Sequence, residues 1–419
     1  MNVTNQDHLA PLLRFPEFIQ PWTSGNLGSL IDSLDAGVSV NSVDRPAKKE
    51  EKGILKTSCV TLGNFAPYEN KAVIDEFELS RLKEPVIAAT VIISRMNTPA
   101  LVGANAFIAE DYPNLYLPDR LWAAKINRSH DSSWVGFLLS SSIIRAYFSK
   151  RATGTSDSMK NITKQDVLTV PCSVPKKDEQ RKIAKFLGAV DEKLERLRRK
   201  RELLAEYKRG VMQQIFSQQI RFVGEGERPF ADWQSKKLGE VASFRKGKGI
   251  AKQDVVENGM VPCIRYGELY TDYQEVITQI KSFTNVDLAG MVLSKVNDVI
   301  IPASGEDRLD MAHASCVQIP GVILGGDLNI ISGAFNGIFL AYYMNSAKRY
   351  DIAQVAQGNS VVHLYSSQLA ALDIDLPSID EQQKIANFLT AIDTKIAAVD
   401  QQIKQMETFK KGLLQQMFV

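Results

Sequence analysis

A long segment occurs twice in this chain, at residues 175–217 and again at residues 377–419. Both copies contain Asp-Glu-Gln-x-Lys-Ile-Ala-x-Phe-Leu near the start and Lys-x-Gly-x-x-Gln-Gln-x-Phe near the end, at the same spacing and without a gap. A proline opens each copy, and the residue before a proline is biased toward extended backbone. The repeat therefore predicts two helices of one kind, each beginning after its proline.

Apolar residues recur every seven positions along both copies. This heptad pattern is typical of a helix that buries one face against an apolar partner. Other apolar residues, including Tyr207 and Phe409, are expected to widen that face. The predicted helix-pairing seam consists of Ile183, Val190, Leu197, Leu204 and Val211 in the first copy and Ile385, Ile392, Val399, Met406 and Leu413 in the second.

The partner of each helix is left open by the heptad pattern alone. The two copies can pair inside one molecule, pair between two molecules as a coiled coil, or pack as ordinary long core helices. Intramolecular pairing is favoured, and a two-fold relation between the halves would make the helices antiparallel. At about 1.5 Å per residue, each helix would be a rod of roughly 58 Å.

The segments before the two helices differ strongly from each other. Each contains short apolar runs with β-branched residues, separated by Gly, Pro, Asn and Asp. Such runs predict mixed α/β (α+β) domains rich in short strands, with helices expected at Trp134 to Tyr147 and Gly337 to Tyr350. Faint landmarks recur, since Trp22 precedes Leu27 and Gly28 as Trp233 precedes Leu238 and Gly239.

These observations predict two globular domains joined by two long antiparallel coiled-coil helices, with a pseudo-two-fold internal repeat. The expected boundaries are 1–174 for the first domain, 175–217 for the first helix, 218–376 for the second domain and 377–419 for the second helix. The two helices share one task, whereas the divergent domains perform two versions of another.

The composition is that of an ordinary globular protein, with 44% hydrophobic and 23% charged residues. No apolar run is long enough to span a bilayer, and the N-terminus lacks a basic start followed by an apolar stretch. We therefore expect a cytoplasmic protein. The four cysteines have neither disulfide-framework nor zinc-site spacing, so we expect buried, reduced thiols and no metal.

Catalytic motifs are absent from the sequence. It contains no phosphate-binding loop, no His-Glu-x-x-His pair, no Gly-x-Ser-x-Gly elbow, and no Asn-Pro-Pro-aromatic run of the kind that adenine methylases use. A self-sufficient methyltransferase or nuclease is therefore disfavoured. Two function classes remain: a DNA-binding protein, and a structural scaffold whose helices dimerise and whose domains bind proteins.

Basic residues are interleaved with turn residues in both predicted domains, although the net charge is only +2. Such clusters can bind phosphate, and arginine also pairs with guanine, but a solvated surface is the more common explanation for any one cluster. The Arg-Lys-Gly-Lys-Gly run beginning at Arg245 is the best single candidate, because its glycines could let the backbone approach a phosphate. The basic candidates for DNA binding are Lys56, Arg95, Arg120, Arg245, Lys246, Lys248, Arg265 and Arg308.

The repeated motifs resemble those of the specificity subunits of type I restriction-modification systems. The resemblance covers both helices, at 178–187 with 208–216 and at 380–389 with 410–418, and it matches the order of all four segments. Shorter family-like pieces are Ser94 to Gly103, Leu115 to Trp122, Val261 to Tyr270, Asp298 to Glu306 and Ile338 to Ser346. These pieces add Asn97, Tyr266 and Ser304 to the candidate DNA-binding residues.

The resemblance implies a chain without its own catalysis. Its two target recognition domains would each read one half of a split site in double-stranded DNA, while the helices set the unread spacer. It also implies two methyltransferase (modification) subunits docked on the helices, and restriction/translocase subunits in the larger complex. S-adenosylmethionine, ATP and magnesium would be used by those partners, so no cofactor is expected in this chain.

Overall fold

The computed structural model describes residues 10–61, 63–156, 158–358 and 361–419. It divides into two compact units. The first unit comprises the chain up to Arg198 together with Gln401–Val419, and the second comprises Arg199–Asp400. The division differs from the predicted order of domain, helix, domain and helix, because each long helix contributes one half to each unit.

The first unit is built mainly from short strands. They are β1 (Thr23–Asn26), β2 (Ile31–Ala36), β3 (Lys52–Leu55), β4 (Val60–Thr61), β5 (Asn64–Phe65), β6 (Asn70–Val73), β7 (Pro85–Val86), β8 (Thr90–Ser94), β9 (Met96–Asn97), β10 (Asn105–Phe107), β11 (Tyr112–Tyr116), β12 (Leu121–Ile126), β13 (Thr153–Ser156), β14 (Met159–Asn161) and β15 (Pro171–Val174).

Four short helices and part of a long one complete the first unit. They are α1 (Glu76–Arg81), α2 (Ser132–Ser140), α3 (Ser142–Arg151), α4 (Lys164–Leu168) and α5 (Lys177–Phe216), with 3₁₀ turns at Leu27–Ser29 and Thr57–Cys59. One helix was predicted from Trp134 to Tyr147, but two are present. The helix is interrupted at Ser141, whose hydroxyl accepts a hydrogen bond from the Ile144 amide and caps α3.

The central sheet of the first unit is antiparallel, in the order β10-β8-β12-β2. Strand β8 is buried along its whole length, as its continuous apolar run suggests. A second four-stranded sheet has the order β6-β3-β11-β7, and a three-stranded sheet has the order β13-β14-β9. Strand β1 pairs with β15, which leads directly into α5.

The second unit has a corresponding set of strands. They are β16 (Gln234–Lys237), β17 (Ala242–Lys246), β18 (Val261–Ile264), β19 (Val276–Ile277), β20 (Ser282–Thr284), β21 (Asp298–Pro302), β22 (Ser304–Gly305), β23 (Ser315–Val317), β24 (Ile323–Leu324), β25 (Leu328–Gly333), β26 (Val362–His363) and β27 (Asp373–Leu376).

Its helices are mostly short, apart from the last. They are α6 (Leu238–Val241), α7 (Glu268–Thr271), α8 (Arg308–Met311), α9 (Gly337–Ser346), α10 (Arg349–Val355), α11 (Ser366–Ala370) and α12 (Ile379–Gln416), with 3₁₀ turns at Glu225–Glu227 and Lys252–Asp254. Here too, the single helix expected from Gly337 to Tyr350 is two, because α9 ends at Ser346 and α10 begins at Arg349.

The central sheet of the second unit repeats that of the first. Its order is β17-β25-β21-β23-β19, so β17, β25, β21 and β23 take the places of β2, β12, β8 and β10. Strand β16 pairs with β27 just as β1 pairs with β15. The internal repeat seen faintly in the sequence therefore extends through the globular part of each unit.

The recurring Leu-Gly landmark has a packing explanation. The amide of Leu27 donates to the carbonyl of Val170, and that of Leu238 donates to the carbonyl of Leu372. At the glycine that follows each leucine, an added Cβ would come within 3.0 Å of the Leu168 carbonyl oxygen in one unit and 2.9 Å of the Ala370 Cβ in the other. Glycine therefore allows the segment after β1 to approach the end of α4 closely, and the segment after β16 to approach the end of α11.

The two long helices run antiparallel inside each unit. In the first unit, the start of α5 shares one apolar core with the end of α12, through Ile183, Leu187, Val190, Leu413 and Phe418. In the second unit, the end of α5 shares a core with the start of α12, through Val211, Ile215, Phe216, Ile385 and Leu389. Pairing within one molecule is thus the alternative that the structure shows, and the predicted mixed α/β class is confirmed.

The seam positions are buried except at two equivalent places. Leu204 and Met406 are half-buried, whereas the other eight seam residues are at most 8% exposed. Tyr207 and Phe409, which were expected to widen the buried face, are instead 54% and 50% exposed. No helix among the described residues is long and apolar enough to cross a membrane.

All four cysteine thiols are buried, and burial raises the pKa of each, to about 11 for Cys172 and Cys263 and about 12 for Cys316. A thiol with a raised pKa carries less thiolate near pH 8, and thiolate is the reactive form. We expect the native chain to react slowly with a thiol reagent at pH 8 and to release all four thiols in urea. Fast labelling of the native chain would contradict this burial.

Candidate nucleic-acid interface

The Asp-Glu-Gln motif at the start of α5 anchors the first unit on its helix. The Glu179 side chain is 3% exposed and accepts hydrogen bonds from the Arg14 guanidinium at 2.7 and 2.8 Å and from the Trp22 indole at 3.1 Å. The hydrogen bond from Arg14 to this carboxylate raises the pKa of the arginine. Phe15 packs edge-on against Phe186 on the same helix, with ring centroids 5.8 Å apart.

The second unit repeats this anchor with different flanking sequence. The Glu381 side chain is fully buried and accepts from the Arg221 guanidinium at 2.8 and 3.2 Å. Phe222 packs edge-on against Phe388, with centroids 5.6 Å apart. The glutamine after each glutamate accepts a hydrogen bond from the amide of the residue that caps α2 or α9, namely Asp131 or Asn336.

A second repeated contact lies between the long helices. Lys410 pairs with Asp191 at 2.6 Å in the first unit, and Lys208 pairs with Asp393 at 2.8 Å in the second. Both lysines occupy the same position in the repeated Lys-x-Gly-x-x-Gln-Gln-x-Phe motif, and both lie over an aromatic ring of the globular part, Phe137 or Tyr342. The lysine of this motif therefore contacts both the other long helix and the globular part of the unit.

The second unit adds further charged groups to this contact. Lys208 also pairs with Glu275 at 3.0 Å, and the Tyr342 hydroxyl donates to Asp393. Burial, followed by the nearby Asp393 carboxylate, raises the pKa of Tyr342, and burial lowers the pKa of His313, which lies close to Glu275. Burial thus favours the uncharged forms of both side chains, whereas the Glu275 carboxylate opposes the effect of burial on His313.

Replacing Arg221 with methionine should leave the buried Glu381 carboxylate without its cation. Because removing one partner of a buried pair is costly, the free energy of opening of the second unit should fall by about 2–4 kcal/mol. Hydrogen exchange in peptides from β16 and β27 would measure this, with β8 as an internal reference. Arg196→Ala is a matched control, since Arg196 and Glu192 are both about three-quarters exposed on α5. Unchanged exchange would show that the arginine does not stabilise the unit.

Three of the candidate DNA-binding residues come together at one edge of the first unit. The chain leaves β8 at Arg95, whose amide donates to the carbonyl of Arg120 and whose guanidinium lies 5.6 Å from the Trp122 ring centroid. The next strand, β9, carries Asn97, whose amide group donates to Ser94 Oγ at 3.2 Å. The Arg95 Nε is buried and has no hydrogen-bond partner within the described residues.

Candidate residues also meet at the equivalent edge of the second unit. Here β22 follows β21 as β9 follows β8, and Ser304 lies on β22. The Tyr270 hydroxyl donates to the Ser304 carbonyl at 3.1 Å, and Tyr266 packs edge-on against Tyr270. Arg308, at the start of α8, donates to the carbonyl of Gly358 at 3.1 Å.

The Arg245 run leaves the central sheet at the same edge as β22. Lys246 pairs with Asn329, which in turn pairs with Ile301 near the end of β21. Two strand spacings, about 10 Å, therefore separate Lys246 from β21. The side chains of Lys246 and Lys248 are exposed.

The expected use of backbone amides in this run does not fit the structure. Gly247 and Lys248 donate their amides to the carbonyls of Leu328 and Leu324. Gly247 is needed because an added Cβ would lie 2.0 Å from the Gly325 carbonyl oxygen. The Arg245 guanidinium is held by the buried Asp298 carboxylate, whereas the side chains of Lys246 and Lys248 are exposed and can contact phosphate.

Two other candidates have ion-pair partners. Lys56 lies at the end of β3 in the other large sheet of the first unit, 3.9 Å from Asp44. Arg265 follows β18 and pairs with the buried Glu268 at 3.1 Å. Lys56 therefore lies in a different sheet from the one whose edge carries Arg95.

Some residues at these edges were not singled out from the sequence. His363 lies opposite Ser304 and its ring stacks on Tyr365, and Lys160 lies opposite Asn97 on β14. Their position depends on strand pairing between distant parts of the chain, which no local pattern reveals. Within the described residues, no cluster of three or more His, Cys, Asp or Glu side chains is arranged to hold a metal ion.

Comparison with known proteins gives a consistent result. Residues 231–408 match the family model described as type I restriction modification DNA specificity domain. The chain is 23% identical over 270 residues to the type I restriction enzyme MjaVIII specificity subunit of Methanocaldococcus jannaschii, covering 61% of this chain and 62% of the relative. The match thus spans less than two thirds of that relative's length.

Two solved structures share the fold. The S subunit of a type I restriction-modification system from M. genitalium has a TM-score of 0.61 at 16% identity and covers 98% of this chain and 99% of its own. A chain from a structure on assembly and conformational transition of the type I system has a TM-score of 0.53 at 16% identity, covering 95% and 98%. Along almost its whole length the chain thus shares the fold of these type I restriction-modification structures, and residues 231–408 match the family model of the DNA specificity domain.

Proposed function

We propose that this chain is the sequence-specific DNA-binding subunit of a type I restriction-modification complex, and that each unit reads one half of a bipartite site in double-stranded DNA. The observation that carries the proposal is the equivalent edge of the two units. There, two sheets of the same topology present different side chains, such as Arg95 and Asn97 on one and Ser304 and Arg308 on the other.

A shared scaffold with different surface residues suits two reading tasks. Phosphate contacts position a protein on DNA, whereas side chains at base edges distinguish sequences. Arginine and asparagine are suited to guanine and adenine, so the first unit has base-reading chemistry at its edge. In the second unit, Lys246 and Lys248 supply exposed cations near an edge that presents hydroxyl and aromatic groups.

We further propose that α5 and α12 set the length of the unread spacer. The helices contain 40 and 38 residues, and each continues from one unit into the other. At about 1.5 Å per residue such a helix measures roughly 60 Å, the length of about 17 base pairs of DNA. A helix is stiff, so the spacer would be specified as a length and not as a sequence.

The exposed apolar residues of the long helices support docking of two methyltransferase subunits. In the first unit, an open groove of about 370 Å³ is lined by Leu197, Met406 and Phe409 together with Lys193, Gln402 and Gln405. In the second unit, Tyr207 and Leu203 are 54% and 48% exposed. Aromatic and apolar groups of this kind are enriched at protein interfaces.

In this proposed role, the chain performs no catalysis itself. Adenine N6 methylation with S-adenosylmethionine would belong to the modification subunits, and ATP- and magnesium-dependent translocation and cleavage to the restriction subunits. We propose that the complex works in the cytoplasm. Recovery of a bipartite DNA motif by the chain and its copurifying partners would test the proposal, and binding of proteins without any sequence-dependent DNA retention would favour a scaffold instead.

Inserting one heptad between Leu197 and Leu204 and another between Val399 and Met406 should lengthen the preferred spacer. Seven residues add about 10 Å, or about three base pairs, while the apolar seam stays in register. Selection from a randomised duplex library would report the spacer and both half-sites. A heptad in one helix alone is the control, because it disrupts the pairing. New half-sites with the old spacer would contradict the proposed role of the helices.

Lys246→Ala and Lys248→Ala should each weaken DNA binding and reduce the slope of log affinity against log salt by about one. Lys395→Ala, an exposed lysine of α12, is the matched control. Arg245→Ala should behave differently, because it leaves the buried Asp298 without a cation and therefore lowers stability. Titration of a labelled duplex at several salt concentrations measures the slopes, and an unchanged slope would place the lysines away from phosphate.

A further inference from the structure

The small ribbon formed by β22 and β26 has one outward face in the second unit. Ser304 lies opposite His363, and Gly305 lies opposite Val362. Since neighbouring residues on a strand point to opposite faces, and Val362 is only 2% exposed, His363 and Ser304 share the face turned away from the core. His363 is exposed and Ser304 half-exposed.

The ribbon is firmly supported from beneath. An added Cβ at Gly305 would meet the Met311 side chain at 2.6 Å and the Tyr270 hydroxyl at 2.8 Å, so the backbone lies directly on these groups. The same hydroxyl donates to the Ser304 carbonyl. The His363 backbone exchanges two hydrogen bonds with Gln357, at 2.7 and 2.9 Å. The outward side chains therefore project from a fixed backbone.

The imidazole of His363 is oriented by an aromatic contact. It stacks on Tyr365, with ring centroids 6.2 Å apart and 26° between the ring planes. Among the residues that the structure describes, none hydrogen-bonds to the ring nitrogens. A neutral imidazole offers one donor and one acceptor, and the adjacent hydroxyl of Ser304 offers both.

We infer that His363 is a specificity-determining residue of the second unit, reading base edges together with Ser304 and Tyr365. The inference rests on the proposed DNA-binding function. A two-stranded ribbon fits the major groove, where each base pair presents a distinct pattern of donors and acceptors. The stacked side chains of His363 and Tyr365 are both exposed at this ribbon.

The first unit has a different residue at the corresponding place. The amide of Ile162 donates to the carbonyl of Arg95 just as the amide of Leu364 donates to the carbonyl of Ala303. Asn161 therefore corresponds to His363, and Thr163 corresponds to Tyr365. Thr163 and Tyr365 each precede a short helix, α4 and α11. The equivalent ribbons therefore carry different side chains at this position.

The test is selection from a randomised duplex library with the full chain and its copurifying partners. We expect His363→Ala to lose about tenfold discrimination at one or two positions of one half-site. His363→Asn, which installs the residue of the first unit, should change the preferred base at those same positions. The other half-site should stay unchanged in both variants, and Tyr68→Ala, an exposed aromatic residue of the first unit, should leave the second half-site intact.

The outcomes separate this inference from the proposed function. A wild-type bipartite motif that both His363 variants reproduce at every position would overturn the role of His363 and leave the proposed function standing. Equal loss at both half-sites, or loss together with weaker thermal stability, would assign the residue to folding and also overturn it. If the wild-type complex selects no motif, the proposed function and the inference both fail.

Discussion

Apolar contact between the antiparallel ends of two long helices is the interaction on which the rest of the fold depends. The core of the first unit contains residues from the start of α5 and from the end of α12, and the core of the second contains the complementary halves. The core of the first unit therefore combines two separate stretches of the chain, whereas the second unit is one continuous stretch, Arg199–Asp400. The burial of these side chains stabilises the helix pairing and the globular units at once, because they belong to the same apolar clusters.

Ion pairs, buried at Glu179 and Glu381 and partly buried at Asp191 and Asp393, add direction to this non-directional attraction. The pairs of Glu179 with Arg14 and of Glu381 with Arg221 orient the segment that enters each globular part, and the pairs of Asp191 with Lys410 and of Asp393 with Lys208 fix the two helices against each other. A hydrophobic face alone permits sliding, whereas a buried carboxylate is stable only where its cation lies. The repeated motifs are thus explained by packing and charge before any DNA is considered.

The sequence predicts the helices well and the candidate DNA-binding surfaces only in part. A long heptad pattern reports a buried face directly, so the extent of α5 and α12 and the mixed α/β class could be predicted. Tyr207 and Phe409 were wrongly placed in the buried face, because periodicity gives the side of a helix but not how far its partner covers that side. The break after α2 was missed because the Ser141 cap interrupts an apolar run, and the break between α9 and α10 was missed as well.

The candidate contacts depended on information that local patterns do not contain. Arg245 belongs to a basic run, yet its guanidinium is held by Asp298, which is distant in sequence and adjacent in the fold. His363 and Ser304 become neighbours only through strand pairing. Charge clusters in a sequence therefore identify potential cations, whereas the folded structure determines which of them are free.

The division of each helix between two units has a consequence for synthesis. Leu413, Met417 and Phe418 belong to the core of the first unit, and the Phe418 ring lies 6.0 Å from that of Trp134. They leave the ribosome only after the entire second unit has been translated. During that interval the apolar surface that these residues cover in the native structure lacks its partner from α12, and such exposed surface favours aggregation during folding.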